Sequence, residues 1–134
     1  MAWNAFVDIV AMESPDDLSE IQQHAHFAFW YDSEVENGGH LQYFENHGTL
    51  HADATMHALE AVEAIAQRDV LAEALKRWNG TPRRKVRSLG EYAATARQGE
   101  FDDLDKAYWR CQPEMTVCLQ RYLDSHFADF MELE

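Results

Sequence analysis

Residues 18–31, LSEIQQHAHFAFWY, place apolar side chains every three or four positions. This spacing predicts an amphipathic helix that reaches about Tyr31, because residues so spaced share one helical face. The apolar face consists of Leu18, Ile21, Ala25, Ala28 and Phe29. The preceding residues 14–17, Ser-Pro-Asp-Asp, are typical of a helix start, and we predict Ser14 as the N-cap.

The same helical spacing continues on both sides of this stretch. It predicts further helical segments at 3–13, at 41–44 after a turn at Asn37-Gly38-Gly39, at 56–66, at 69–80, at 89–96 after an N-cap at Ser88, at 101–111, and from Pro113 to Phe130. One longer helix should bury Met56, Leu59, Val62, Ile65 and Ala66. No stretch sustains the two-residue alternation of a strand. The sequence therefore predicts one all-α domain over 1–134, a compact bundle of six to eight helices.

The charge of the chain is strongly negative and unevenly distributed. Its 134 residues hold 24 acidic and 11 basic side chains, for a net charge of −13. Residues 1–67 contain 12 acids and no Lys or Arg, whereas 68–121 contain all 11 basic residues. Such a surface repels nucleic acid and acidic membranes and attracts basic partners, so direct nucleic-acid binding is disfavoured. The alternative is that the charge serves solubility alone.

Sequence features also indicate where the protein works. No Lys or Arg precedes Arg68, so the start lacks the positive charge of a secretory signal. The longest apolar run, 27–31, is far shorter than the roughly 20 residues that span a bilayer. Cys111 and Cys118 are too few for a disulfide framework and are expected to be buried thiols. We therefore expect a cytoplasmic protein without membrane attachment.

The sequence offers little for catalysis, metals or cofactors. It has no Gly-x-Ser-x-Gly elbow, no phosphate-binding Gly-x-x-x-x-Gly-Lys loop and no His-Glu-x-x-His pattern. His47 and His51 are four residues apart, but Gly48 between them is expected to end a helix. We predict a protein that is not an enzyme and that has no metal site and no cofactor.

Carboxylates instead form the candidate partner-binding surface. They are Asp16, Asp17, Glu20, Asp32, Glu34 and Glu36, and a second series is Asp102, Asp103 and Asp105. On the predicted helix Asp16 and Glu20 share one face, with Cβ atoms about 5–6 Å apart. Carboxylates so spaced can match successive phosphates of a nucleic-acid strand, which DNA-binding proteins recognise before bases. The alternative is an ordinary solvated helix face.

One dense basic run, Arg83-Arg84-Lys85-Val86-Arg87, remains to be explained. It is short and lacks the interleaved aromatic residues of a nucleic-acid contact. Two interpretations stay open: a solvated loop, or an internal or intersubunit partner for the acidic half of the chain.

Residues 33–48, SEVENGGHLQYFENHG, resemble the signature of a family of small bacterial helical domains, largely of unknown function, whose described representative is an acidic DNA-mimic protein. The residues that match the signature are Asn37, Gly38, Gly39, Gln42, Tyr43, Phe44, Asn46 and Gly48. The segments around 101–108 and 119–127 are similar to the closing helices of that family. The sequence departs from the pattern at His40, where we expect a large apolar residue.

The resemblance implies an all-helical fold, a homodimer, and a negative surface that occupies the DNA-binding site of a basic protein such as a transcription factor or a nuclease. It supplies no catalytic residues. The matching residues either shape and pack a turn or line a small pocket. Two other functions stay open: an immunity-type inhibitor of a basic toxin, and a ligand-binding domain centred on the Asn-Gly-Gly segment, with a pocket lined by His40, Gln42 and His47.

Overall fold

The computed structural model describes Phe6 and residues 12–83, 86–96 and 98–131. These residues form seven α-helices and one short 3₁₀ turn, Pro15–Asp17, and contain no β-strand. The helices are α1 (Glu20–His47), α2 (Ala52–Ala61), α3 (Ile65–Gly80), α4 (Leu89–Ala96), α5 (Asp102–Trp109), α6 (Met115–Ser125) and α7 (Phe127–Met131). The predicted all-α class is confirmed. The predicted helix at 3–13 lies outside the described residues, except Phe6, which is helical and buried.

The first long helix begins at Glu20, and its N-cap is Ser19 rather than the predicted Ser14. Ser19 Oγ accepts a hydrogen bond from the Gln22 backbone N–H at 3.2 Å, and Gln22 Oε1 accepts one from the Ser19 N–H at 3.1 Å. This reciprocal capping box satisfies two N–H groups that the helix itself leaves without partners. Ser14 makes no side-chain cap bond, because the turn that follows it ends at an extended Leu18.

α1 bends sharply at the Asn-Gly-Gly segment, as the predicted helix-to-helix turn requires. Gly38 and Gly39 have non-helical backbone angles, and Gly39 has φ of +76°. The helix before the bend is longer than predicted, because it continues past Tyr31. The part after the bend ends at Gly48, whose N–H donates to the Phe44 carbonyl.

The predicted single helix over 56–66 is wrong. The helix is interrupted at residues 62–64, and a new helix, α3, begins at Ile65. Glu63 has φ of +61°, the Glu63 N–H donates to the Glu60 carbonyl, and the Ala64 N–H donates to the Leu59 carbonyl. These two bonds define a Schellman motif, which ends a helix by satisfying its last carbonyls. The motif normally carries glycine in the left-handed position, so Glu63 gave no sequence signal. Ile65 is consequently 46% exposed.

The remaining helices lie where the sequence predicts them, but the single helix predicted from Pro113 to Phe130 is wrong, because it is divided into α6 and α7 at His126. Ser88 Oγ accepts from the Glu91 N–H at 3.1 Å, as an N-cap for α4. α3 ends at Gly80, as predicted. α6 buries the predicted face, which is Met115, Cys118, Leu119, Tyr122 and Leu123. Cys111 and Cys118 are buried free thiols, in agreement with the prediction.

The two arms of α1 provide most of the central packing surface. α1 packs against α2, α5, α6 and α7, and α3 packs against both α2 and α5. Their shared core includes Tyr31, Phe44, Leu59, Leu71, Leu119 and Phe130. None of the helices described is both long enough and apolar enough to cross a lipid bilayer.

Candidate functional site

The first three candidate carboxylates lie at the start of α1. Asp16, Asp17 and Glu20 are all exposed. Asp16 and Asp17 belong to the 3₁₀ turn, and the extended residues 18–19 separate them from the helix. The predicted shared helix face of Asp16 and Glu20 is therefore wrong, because the two residues are not on one continuous helix.

The other three carboxylates are divided between two sides of α1. Asp32 and Glu36 are one turn apart and neighbour each other. Glu34 lies on a different side, where Glu34 Oε2 accepts hydrogen bonds from Gln42 Nε2 at 3.1 Å and from Asn46 Nδ2 at 2.8 Å. Its side chain is only 14% exposed. Glu34 thus holds the two arms of α1 together across the bend.

Asp32 has an unusual environment for an acidic residue. The Tyr108 hydroxyl, on α5, donates a hydrogen bond to Asp32 Oδ1. Burial, together with the neighbouring carboxyl group of Glu36, raises the pKa of Asp32 to about 7. Asp32 therefore takes up or releases a proton near neutral pH, unlike an ordinary surface aspartate.

Three of the arginines that the structure describes form ion pairs, all with acids outside segment 12–36. Arg68 pairs with Glu60 and Asp69, Arg77 with Glu73 and Asp103, and Arg83 with Glu100. Within the described ranges, no acid between residues 12 and 36 forms an ion pair with Lys or Arg. The exposed carboxylates of this segment therefore have no Lys or Arg partner among the described residues, and Glu34 Oε1 lies 3.5 Å from His47 Nε2.

Within the basic run 83–87, Arg83 makes internal contacts rather than belonging to a solvated loop. Its guanidinium group contacts both carboxylate oxygens of Glu100, at 2.6 and 2.7 Å, and lies 4.0 Å from the centre of the Trp78 ring. Arg83 is thus an internal partner, but for an acid of the second half of the chain. Arg87 is exposed, and residues 84–85 lie outside the described part of the chain.

The Asn-Gly-Gly segment brings α1 into close contact with Asp105 of α5. A Cβ atom at Gly39 would lie 2.4 Å from Asp105 Oδ2. Asp105 Oδ1 accepts from the His40 backbone N–H at 2.9 Å and lies 2.6 Å from His40 Nδ1, and His40 Nε2 lies 2.7 Å from the Tyr31 hydroxyl. His40, the departure from the family pattern, is fully buried within this hydrogen-bonded chain.

The other residues of the signature also make specific contacts. Tyr43 is buried and its hydroxyl donates to Thr55 Oγ1 at 3.3 Å. Phe44 stacks on Trp78 with ring centres 5.0 Å apart. Asn37, by contrast, is exposed at the end of the first arm.

A cavity of about 350 Å³ lies beside the second arm of α1. Its walls include Phe27, Trp30, Tyr31, Tyr43, His47 and Thr55. His47 lines it as predicted, but His40 and Gln42 do not, because they point toward Asp105 and Glu34 instead. Across the described residues, no group of three His, Cys, Asp or Glu side chains is arranged to hold a metal ion.

A smaller cavity of about 90 Å³ lies beside Asp32 and Glu36. Gln67 and Trp109 also line it, and neither was selected from the sequence. The only available signal was that Gln67, a polar residue, follows the apolar pair 65–66.

Comparison with known proteins relates this arrangement to a family. The family model described as DMP19-like protein matches residues 16–126, which include every candidate carboxylate and the whole Asn-Gly-Gly segment. No curated protein and no solved structure matches the chain. Because the match extends over most of its length, the chain belongs to the DMP19-like protein family.

Proposed function

We propose that this protein is a non-enzymatic interaction protein that mimics DNA phosphate charge. Its acidic surface would occupy the DNA-binding site of a basic protein, either a transcription factor or a nuclease. The observation that supports this most directly is that Asp16, Asp17, Glu20 and Glu36 are exposed and, within the described residues, have no Lys or Arg partner.

Uncompensated carboxylates suit this function because they keep their full charge for a partner. An acid already paired with arginine contributes little net field, whereas an unpaired one attracts cations over about 8–10 Å at physiological salt. Glu20 and Glu36 are separated by about 24 Å along the first arm of α1, at 1.5 Å per residue.

The six predicted carboxylates do not support the proposal equally. Glu34 is largely buried and bonded to Gln42 and Asn46, so its substitution would disturb the bend as well as the charge. Asp32 is half-buried against Tyr108. The exposed four are therefore the appropriate residues for a test.

The test is displacement of DNA-binding proteins from DNA. Proteins of the native host are bound to DNA-cellulose at about 50 mM NaCl, where phosphate contacts are strong. We expect the wild-type protein to release a defined host protein, which is then identified and titrated against labelled DNA. The variant Asp16→Asn/Asp17→Asn/Glu20→Gln/Glu36→Gln should compete about tenfold less well or worse.

A matched control distinguishes the effect of where the carboxylates lie from the effect of the protein's net charge. The variant Asp53→Asn/Glu63→Gln/Glu73→Gln/Asp124→Asn also loses four exposed carboxylates, but none from segment 12–36. It should displace the host protein nearly as well as wild type. Equal loss in both variants, or no displacement by wild type, contradicts DNA mimicry at this surface. Identification of a toxin as the captured protein would instead indicate the immunity function.

The cavity of about 350 Å³ supports a second candidate function, the binding of a small planar apolar molecule among its aromatic walls. Indole serves as the probe in saturation-transfer NMR. We expect transfer to indole with wild type and its loss with Thr55→Leu, which narrows the cavity, but not with Thr95→Leu, which lies elsewhere. Absence of transfer, or transfer unchanged by Thr55→Leu, contradicts this function.

A further inference from the structure

The cavity of about 90 Å³ lies where α1, α3, α5 and the start of α6 meet. The side chains that matter for its chemistry are Asp32, Glu36, Gln67, Tyr108, Trp109 and Glu114. No Lys, Arg or His side chain in the described part of the chain lines it. Three carboxyl groups and an amide thus surround a space with no positive charge.

Gln67 provides an independent indication that this cavity receives a ligand. Its side chain is 2% exposed, and its Nε2 donates to the Pro113 carbonyl at 2.8 Å. Its Oε1 is buried and has no hydrogen-bond donor among the residues that the structure describes. A buried acceptor without a donor destabilises the folded state, so natural proteins rarely retain one without a reason.

The donors already present leave Gln67 Oε1 without a partner. The Tyr108 hydroxyl donates to Asp32, and the Cys111 thiol, which also lines the cavity, donates to the Ala107 carbonyl. A group that brings several N–H donors and a positive charge complements these acceptors. A metal ion does not fit, since the described residues bring together no suitable group of ligands.

An arginine side chain meets these requirements. Guanidinium has five N–H donors in a planar fork, it is always charged, and it stacks on aromatic rings. Trp109, 60% exposed at the cavity, offers such a ring. The volume equals about three water molecules at ~30 Å³ each, which accommodates a guanidinium head but not a large ring.

We propose that this cavity receives an arginine side chain of the basic partner, held by Asp32, Glu36 and Gln67 and stacked on Trp109. The proposal rests on the proposed function, and it deepens it by defining one anchoring point on an otherwise diffuse acidic surface. Buried arginine anchors commonly dominate the binding energy of protein interfaces.

Arginine binding at this cavity should release a proton. The groups that face Asp32 are Glu36 and Tyr31 on its own helix, Tyr108 from α5, and Cys111 and Glu114 from the segment that leads to α6. The raised pKa of Asp32, about 7, leaves part of the population protonated at neutral pH. A guanidinium group favours the ionised carboxylate, so binding should be tighter at about pH 8 than at about pH 6.

The experiment is an NMR titration of the ¹⁵N-labelled full chain with N-acetyl-arginine amide. N-acetyl-citrulline amide, which has nearly the same shape but no charge, is the control ligand. We expect saturable shifts of the Trp109 indole N–H and of the Gln67 side-chain amide with arginine only, at up to about 20 mM ligand. Absence of saturable shifts, or equal shifts with citrulline, overturns the proposal.

Variants test the residues assigned to this cavity. Glu36→Gln should weaken binding of the arginine derivative about five- to tenfold, and Trp109→Ala about two- to fivefold. Asp53→Asn, an equal change of charge on α2, should leave binding unchanged. Both Glu36 and Trp109 are exposed, so these variants should fold even if a Gln67 variant does not. Binding that is indifferent to both substitutions overturns the proposal.

The failure of this inference is distinguishable from failure of the proposed function. If the host protein is displaced from DNA but Trp109→Ala and Glu36→Gln alone do not weaken its capture, the arginine anchor is wrong and DNA mimicry stands. If the arginine derivative binds as expected but no host DNA-binding protein is displaced, the cavity is a guanidinium site and the partner assigned to it is wrong.

Discussion

His40 is a fully buried polar side chain between α1 and α5. Because the Asp105 carboxylate only accepts hydrogen bonds, His40 Nδ1–H is the donor in that pair. His40 Nε2 is then left without a proton in the neutral ring, and it accepts a hydrogen bond from the Tyr31 hydroxyl. The sequence pattern led us to expect a large apolar residue at this position. The structure shows how a histidine occupies it: both of its ring nitrogens have partners, so burial leaves neither unsatisfied.

Substitution of His40 tests this pairing. His40→Leu should lower the free energy of unfolding by about 1–3 kcal/mol, because it leaves the Tyr31 hydroxyl buried without a partner. Adding Tyr31→Phe removes that hydroxyl and should recover part of the loss. Urea denaturation of the two variants measures both effects. A further loss in the double variant would contradict this account.

Asp32 should make the stability of the protein depend on pH. Its pKa rises from 3.8 to about 7 on folding, so the folded state binds more protons than the unfolded state between these values. Stability should therefore fall as pH increases from about 4 to about 7. Asp32→Asn should reduce this slope, as measured by urea midpoints across that range. A slope equal to that of wild type would show that Asp32 is not the titrating group.

At the scale of the elements, the bend at Gly38 and Gly39 determines how α1 meets α5. A continuous helix would carry Tyr43 and Phe44 away from Thr55 and Trp78, their partners in the structure. Gly39 combines a φ of +76° with an approach to Asp105 that leaves no room for a Cβ atom. Glu34 then ties the arms together through Gln42 and Asn46.

Alanine substitution tests the requirement for glycine at the bend. Gly39→Ala should destabilise the protein by about 2 kcal/mol or more, through left-handed strain and displacement of the Asp105 carboxylate. Gly90→Ala, within α4 and without close neighbours, should instead stabilise by about 0.5–1 kcal/mol. Thermal unfolding of both variants provides the comparison. Tolerance of alanine at position 39 would mean that the bend can relax.

At the scale of the whole molecule, acidic side chains in different parts of the sequence differ in whether they pair with arginine. Three arginines bind acids between residues 60 and 103. Arg68 connects α3 to α2 through Glu60, Arg77 connects α3 to α5 through Asp103, and Arg83 binds Glu100 just before α5. Segment 12–36 lacks such pairs within the described ranges. The described part of the molecule thus combines a region whose acids are paired with arginines and a segment whose acids have no Lys or Arg partner.

Arg83 is the most buried of these arginines and should contribute most to stability. Arg83→Met should cost about 1–2 kcal/mol, because it removes the two-point contact with Glu100 and the stacking on Trp78. Arg87→Met, at an exposed position of the same run, should change stability by less than about 0.5 kcal/mol. Urea denaturation distinguishes the two. Equal effects would contradict an internal role for Arg83.

Local signals explain which elements could be predicted. Ser88 and the Asn-Gly-Gly segment contain residue types with strong capping or backbone preferences, and the structure uses both as the sequence indicates. The break at 62–64 and the start of α1 were missed. Glu63 adopts a conformation that its residue type disfavours, and Ser14 and Ser19 are equally suitable N-caps until tertiary packing selects one.

The sequence by itself determined the helical class, the apolar faces and the concentration of acids in the first half, since these follow from residue type and spacing along the chain. Only the tertiary structure decided which acids remain free, that Glu34 and Asp105 bond to the chain itself, and that Asp32, Gln67 and Trp109 surround one cavity. These arrangements depend on hydrogen bonds and ion pairs between residues up to 76 positions apart in the sequence. The energy of such contacts depends on distances in space, which the local sequence does not specify.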